Sequence, residues 1–454
     1  MKILEQINHF IWGLPVLSMI LFAGIFLTFK TNFAQIRMFP AAVTHFCSSL
    51  RKQKNPGNEV TGYRALCTAL AATVGTGNIA GVAGAIAIGG PGVIFWMWLC
   101  GILGMIIKFA EVILALHYRK KDSSGQYLGG PMYIIENGLP PKFRFLAFYY
   151  CLFGLVATFG VGNGTQINAV VDSVKKLAQY NNFTLKLPHL LLLGASLACT
   201  VTLAFRKGTS GIASWAEKLV PFASIFYILL ATSVLILQFQ EIPKAIYRIF
   251  KGAFSPGAVT GGVIGSIFVT LRVGVSRGIF TNEAGMGTAS VAHASAKVDN
   301  IVVQGFLGMI EVFLDTIVLC TLTALVILCS GVSVTYHSDP GILLTLEAFS
   351  HVLGDWISVV ITALVCIFAF ATVLGWGFYG LRFMEYLFGS GSWHIFILME
   401  GVVCFISVLA DTSLIWILSE IFNGLMAIPN LIVLIWLMPV VLSHIKEYKK
   451  AYRS

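Results

Sequence analysis

Thr73-Val74-Gly75-Thr76-Gly77-Asn78-Ile79-Ala80-Gly81 lies in the middle of an apolar run from Ala65 to Ile88. A run of that length reads as a membrane helix, and this stretch predicts that the helix is broken. Gly75 and Gly77 lift the Cβ restriction on φ and ψ. Thr76 and Asn78 carry side-chain oxygens to a depth where lipid offers no hydrogen-bond partner. Irregular backbone at that depth is tolerated only inside protein or beside a cavity. An unwound turn there leaves free carbonyls on the upstream half-helix and free N–H groups on the downstream one, so a cation and a carboxylate can be held side by side.

The rest of the chain fits a membrane setting. Of its 454 residues 57% are hydrophobic and 11% charged, and the mean hydropathy is +0.84. That is too few charges for a soluble protein of this size. Runs long enough to span a bilayer centre on 11–29, 65–88, 92–116, 145–174, 188–205, 215–237, 258–296, 302–330, 357–386, 393–410 and 414–442, which predicts an all-α polytopic protein of about eleven transmembrane helices. The two-residue alternation of a membrane barrel is missing. The first run is too long for a secretory signal and lacks a small-residue cleavage site, so it reads as a retained span.

The nine cysteines contain no C-x-x-C pair and lie mostly inside spans, as small packing residues do. The net charge of +10 does not point to nucleic acid. Lys and Arg concentrate in the segments 30–64, 117–144 and 206–214 and in the tail 446–454, all on one side of the predicted spans. The positive-inside rule makes that side cytoplasmic, with the C-terminus inside and the N-terminus external. Phe33, Ile36 and Phe39 among Arg37, Arg51, Lys52 and Lys54 suit a helix on the cytoplasmic membrane face.

A second unusual span follows: Arg272, Arg277-Gly278 and Phe280-Thr281-Asn282-Glu283-Ala284-Gly285-Met286-Gly287. Asn78-x-Ala80-Gly81 recurs there as Asn282-x-Ala284-Gly285, and five spans separate the two, the pattern of an inverted repeat. Gly274-x-Ser276-x-Gly278 matches the hydrolase elbow, but no strand precedes it, so it predicts no enzyme. Asn163 and Gln166, three residues apart, can point two amides into one cavity or bond to neighbouring helices. Glu111 reads as a partner for Lys108 or Arg119, or as part of an ion exit. Glu311 and Asp315 read as buried partners of Arg272 or Arg277, or as the lining of an ion path. Ser330 to Trp356, without Lys or Arg, suits a cap over an outer vestibule, and Thr372 and Trp376 share one helix face.

Together with Gly130-Pro131-Met132-Tyr133, Gly274-Val275-Ser276-Arg277-Gly278, Asp315-Thr316 and Gly375-Trp376, these stretches closely resemble the alanine or glycine:cation symporter family, the sodium:alanine symporters. The resemblance implies the leucine-transporter (LeuT) fold, two five-helix inverted repeats at 65–238 and 254–443. To these are added an N-terminal span and amphipathic segment at 1–64 and a cytoplasmic tail at 444–454. It implies sodium-coupled symport of alanine or glycine into the cell by alternating access, in the cell membrane, with sodium as coupling ion and no cofactor. It further implies substrate contacts from Thr76, Gly77, Asn78, Gln166, Phe280, Asn282 and Trp376, and sodium ligands from Ala71, Val74 and Thr372. Gly208-Thr209-Ser210-Gly211-Ile212 departs from the family's more basic loop, which bears on the inner gate. The competing reading is a gated channel or membrane sensor on the same scaffold. Such a channel needs a continuous polar lining, whereas the polar residues here cluster at two breaks.

Overall fold

In a computed structural model the described residues are 2–51, 60–123, 125–180, 183–264, 266–337, 341–410 and 412–451. Lys52 and Lys54 of the expected surface helix, and Asp339 and Pro340 of the expected cap, lie outside them. The elements used below are α1 (Leu14–Lys30), α2 (Phe39–Arg51), α3 (Gly62–Thr73), α4 (Ala80–Gly89), α5 (Val93–His117), α6 (Thr165–Tyr180) and α7 (Gly208–Leu237). They continue with α8 (Ile267–Asn282), α9 (Thr288–Ala294), α10 (Ile301–Val312), α11 (Leu343–Leu353), α12 (Ile357–Phe388), α13 (Trp393–Ser407) and α14 (Thr412–Trp436). A two-stranded ladder, Lys120–Lys121 with Tyr127–Leu128, is a small exception to the expected all-α content.

Among the described residues nine helices are long and apolar enough to cross a membrane, or ten when the bent pair of the first break is taken as one span. The expected eleven is therefore not matched. The difference falls on 258–296, where α8 has 16 residues and α9 only 7. Between them Glu283 (φ 53°), Gly285 (φ 93°) and Gly287 (φ 79°) are left-handed, which no helix continues through.

α5 is buried along most of its length and packs on both α8 and α10. Small residues set the approach: a Cβ on Gly278 would stand 3.0 Å from Cys100 Cβ, and one on Gly104 would stand 3.1 Å from Ala284 Cβ. α2 packs against α10 instead of lying only on lipid, with His45 stacked on Phe306 and Phe39 against Phe313.

The buried charges are arranged differently from expectation. Glu311 pairs with Lys108 (Nζ to Oε1 3.3 Å) and His293 (Nε2 to Oε2 3.1 Å), all three fully buried. His293 Nδ1 meets Gln304 Nε2 at 2.7 Å, and Gln304 Nε2 donates to the Gly62 carbonyl at 3.1 Å. The arginines expected there are elsewhere. Arg277 faces Glu420 at 3.8 Å, and Arg272 is exposed. Arg272 and Arg277 are carried by α8, whereas Lys108 lies on α5, which packs directly on α10 and brings its ammonium to Glu311 in a fully buried setting that only a paired charge tolerates.

Lys108→Met leaves the Glu311 carboxylate without its ammonium, a change worth about 3–5 kcal/mol. Its unfolding temperature in detergent should fall sharply, and adding Glu311→Gln should recover much of the loss. Unchanged stability in the single variant would contradict a structural role for the pair.

Candidate functional site

The first break begins after Thr73. Val74 is extended (φ −80°, ψ 99°), as is Gly75 (φ −153°, ψ −152°), and a single 3₁₀ turn, Thr76–Asn78, leads into α4, so that the two halves bend by 57°. Asn78 directs the break. Its Oδ1 accepts the Gly75 N–H at 2.9 Å, the donor that a continuing helix would give to Ala71. The Asn78 N–H, which would serve Val74, goes to the Gly75 carbonyl at 3.3 Å. The carbonyls of Ala71 and Val74 thus lose their helical donors. Thr372 of α12 stands beside Gly75, where a Cβ would overlap its Oγ1. That hydroxyl is 2% exposed and has no hydrogen-bond partner among the described residues. α12 comes this close because Gly375 lies on the Ala71–Ala72 backbone, where a Cβ would sit 2.9 Å from the Ala71 carbonyl carbon.

On the other side of the turn, no described bond uses the N–H groups of Thr76 and Gly77. Thr76 Oγ1 donates to Gln166 Oε1 at 2.8 Å, and Gln166 Nε2 donates to Val161 O at 3.1 Å. Gln166 follows a π-helical segment, Thr158–Gly164, whose wide turn exposes the Val161 carbonyl to it. Gly77 faces the second broken helix, since a Cβ there would lie 3.6 Å from Thr281 Cγ2 and 4.0 Å from Phe280 Cδ1.

The second break has its own asparagine. Asn282 Oδ1 accepts the Ala284 N–H at 2.9 Å, and its Nδ2 donates to Thr316 Oγ1 at 3.1 Å. Asn78 Nδ2 donates to Asp315 Oδ1 at 2.6 Å, and the Thr316 hydroxyl donates to Asp315 Oδ2 at 2.9 Å. The two repeated asparagines are therefore tied to adjacent residues of one π-helical turn, Phe313–Cys320. Glu111 Oε1 accepts the N–H groups of Gly285 (2.9 Å) and Gly287 (3.1 Å) and the Asn430 amide (2.7 Å), while Asn430 also donates to Gly285 O. Glu111 is thus the acceptor for the second break. Arg119, its other expected partner, donates to the carbonyls of Ala294 and Ala296.

Gln166, Thr76, Gly75, Thr372, Ala71 and Val74 are brought together, and Gly77 meets Phe280. Asn78 and Asn282 spend both ends of their amides on protein. Trp376, fully buried, packs over Gly162 of the π segment and stands edge-on to Tyr379. Within the segment expected as a cap, α11 supplies Thr345, whose hydroxyl donates to the Ile79 carbonyl at 3.2 Å. Sequence reading missed Asn430 and the roles of Asp315 and Glu111. The visible signal was a carboxylate in an apolar span. Its partner lay 319 residues away for Glu111 and Asn430, and 237 for Asp315 and Asn78.

The sodium:alanine symporter family profile matches residues 1–454. The sodium/alanine symporter AgcS of Methanococcus maripaludis is 38% identical, with 100% of this chain and 98% of that protein aligned. The probable sodium/glutamine symporter GlnT of Bacillus subtilis is 35% identical, over 100% of this chain and 92% of that one. In three dimensions the chain resembles MhsT, solved with L-phenylalanine, at a TM-score of 0.56 and 15% identity, covering 82% of this chain and 89% of that chain. That likeness speaks for the leucine-transporter type of fold alone. The chain belongs to the sodium:alanine symporter family, whose members are transporters and not enzymes.

Proposed function

We propose that the chain carries a small neutral amino acid, alanine or glycine, into the cell together with sodium, binding both at the first break. The observation that carries this reading is the Thr372 hydroxyl, which has no partner among the described residues and is buried against Gly75, in the break where Asn78 takes the helical donors of two carbonyls. Oxygens without donors on both α12 and the adjoining break suit a hard cation and nothing apolar. Ala71 and Val74 carbonyls and Thr372 Oγ1 hold sodium in this proposal. The N–H groups of Thr76 and Gly77 then take the substrate carboxylate at the positive end of the downstream half. Gln166, Phe280 and Trp376 bound the pocket and limit its size. Asn78 and Asn282 act mainly by holding the two breaks open.

The sodium/alanine symporter of Methanococcus and the probable sodium/glutamine symporter of Bacillus support sodium coupling and a neutral amino acid. Two five-helix repeats of opposite orientation, rocking about the breaks, supply alternating access. The Lys- and Arg-rich loops and the C-terminus face the cytoplasm, and the N-terminus lies outside. Arg64 Nε bonds Glu217 Oε2 at 2.6 Å, tying the start of α3 to α7 on that cytoplasmic side, where a cavity of about 760 Å³ is lined by Arg64, Lys207, Lys297 and Arg382.

In proteoliposomes an inward sodium gradient should drive labelled alanine uptake, and preloaded unlabelled alanine should accelerate entry of label with no gradient. Uptake indifferent to sodium would remove the coupling, and absence of this counterflow would favour a channel. Thr372→Ala and Gly75→Ala should each raise the half-saturating sodium concentration roughly tenfold, one by deleting an ion ligand and the other by displacing it. Membrane insertion should be retained. An unchanged sodium dependence in both would move the ion elsewhere.

A further inference from the structure

The fully buried carboxylates differ in their partners. Glu311 has Lys108 and His293, Glu111 has two backbone N–H groups and the Asn430 amide, and Asp315 has Asn78 and Thr316. Glu283 accepts from the Thr288 hydroxyl. Glu400, in the middle of α13, has only Asn163. The Asn163 Nδ2 donates to Glu400 Oε2 and, at 3.0 Å, to the Glu400 backbone carbonyl. Both residues are 0% exposed. Two oxygens are left over, Glu400 Oε1 and Asn163 Oδ1, and neither has a partner among the described residues.

Among the described residues no cation is paired with the carboxyl group. The elements packed on α13 are the Leu187–Phe205 helix, α6, α12, the Thr158–Gly164 segment and the Ser390–Ser392 turn. Among the residues whose side chains are described, their charged and titratable groups are His189 and Cys199, then Asp172, Lys175 and Lys176 on α6, and Cys366, Tyr379, Arg382, Glu385 and Tyr386 on α12. None of these makes a described bond to Glu400, and Arg382 is engaged by Glu385 at 2.6 Å. On α13 itself Cys404 lies one turn along and His394 lies two turns back. An ionised carboxylate here would sit in an apolar interior without a counter-charge, which costs several kcal/mol at the least. A metal cation would need a shell of oxygens where two are on offer. One proton needs only a donor atom and an acceptor, and the two orphaned oxygens supply both.

We propose that Glu400 holds a resident proton on Oε1 and donates it to Asn163 Oδ1, closing a two-point acid–amide pair. In that pair Asn163 Nδ2 gives to Oε2 and Glu400 Oε1 gives to Oδ1, so no buried polar atom of either side chain is left over. The pair pins α13 to the π-helical segment at the point where it feeds the site. Gln166, bonded to Thr76, lies three residues beyond Asn163, and Gly162, beneath Trp376, lies one before it. Glu400 is thus a positioning residue acting through Asn163, whichever amino acid is carried.

Infrared spectra of the purified full-length protein provide a test independent of transport. Wild type should show the carbonyl band of a hydrogen-bonded carboxylic acid through the near-neutral range, with and without sodium. Glu400→Gln should lack the band, and Asn163→Ala should shift it. In reconstituted vesicles Glu400→Gln, whose amide reproduces both bonds of the acid, should transport within about twofold of wild type, while Glu400→Ala should lose roughly tenfold or fail to fold. A missing band, a band abolished by sodium, or a Gln variant as impaired as the Ala variant would each overturn the proposal.

Discussion

Backbone groups inside a membrane protein must find partners, and at the two breaks part of that requirement is met by one continuous series of hydrogen bonds. Gly75 N–H gives to Asn78, Asn78 gives to Asp315, Thr316 gives to Asp315, Asn282 gives to Thr316, and Ala284 N–H gives to Asn282. Each buried polar group left without a partner would cost about 1–3 kcal/mol. A helix broken twice in the interior would be untenable without such a series. Because Asn78 absorbs an amide donor that regular helix would have used, carbonyls at the first break are left without their helical donors. The polar site and the stability of the break have the same cause.

The series also joins the two broken helices. Asn78 and Asn282 meet neighbouring residues of a single π-helical turn, so a shift at either break is felt at the other through two or three bonds. A second connection runs from Lys108 through Glu311, His293 and Gln304 to the Gly62 carbonyl at the start of α3. On the proposed mechanism the first connection moves with the site, while the second and the Arg64–Glu217 pair must rearrange when the cytoplasmic end of α3 swings away. A sodium ion that fixes the first break then has a physical route to the rest of the molecule, by contacts that differ between states.

Much of this was legible in the residues themselves. Gly75-Thr76-Gly77-Asn78 announces a break because nothing else explains paired glycines and amides in an apolar run, and its recurrence near Asn282 locates the second. The span count was less legible. Ile267 to Ala294 has the composition of one helix, but three left-handed residues divide it into pieces too short to count. Pairing of buried charge was not legible at all. Glu311 lies closer in sequence to Arg277 than to Lys108 yet takes Lys108, and Glu111 bonds backbone N–H groups that carry no side-chain signal. Gly130-Pro131 reads as a turn, and Gly130 (φ 123°) does bend the chain into the Pro131–Gly138 helix; its packing was not legible, for a Cβ on Gly130 would lie 2.7 Å from Val291, and one on Gly287 would overlap Pro131.

The central claim is that ion and amino acid meet at one break and stabilise each other there. Coupling of that kind is reciprocal: the factor by which saturating sodium tightens alanine binding equals the factor by which saturating alanine tightens sodium binding. Equilibrium binding of labelled alanine to the purified protein at varied sodium, and of labelled sodium at varied alanine, measures both factors. The account predicts two equal factors well above one, both collapsing toward one in Thr372→Ala. Alanine binding that is as tight without sodium as with it would contradict it.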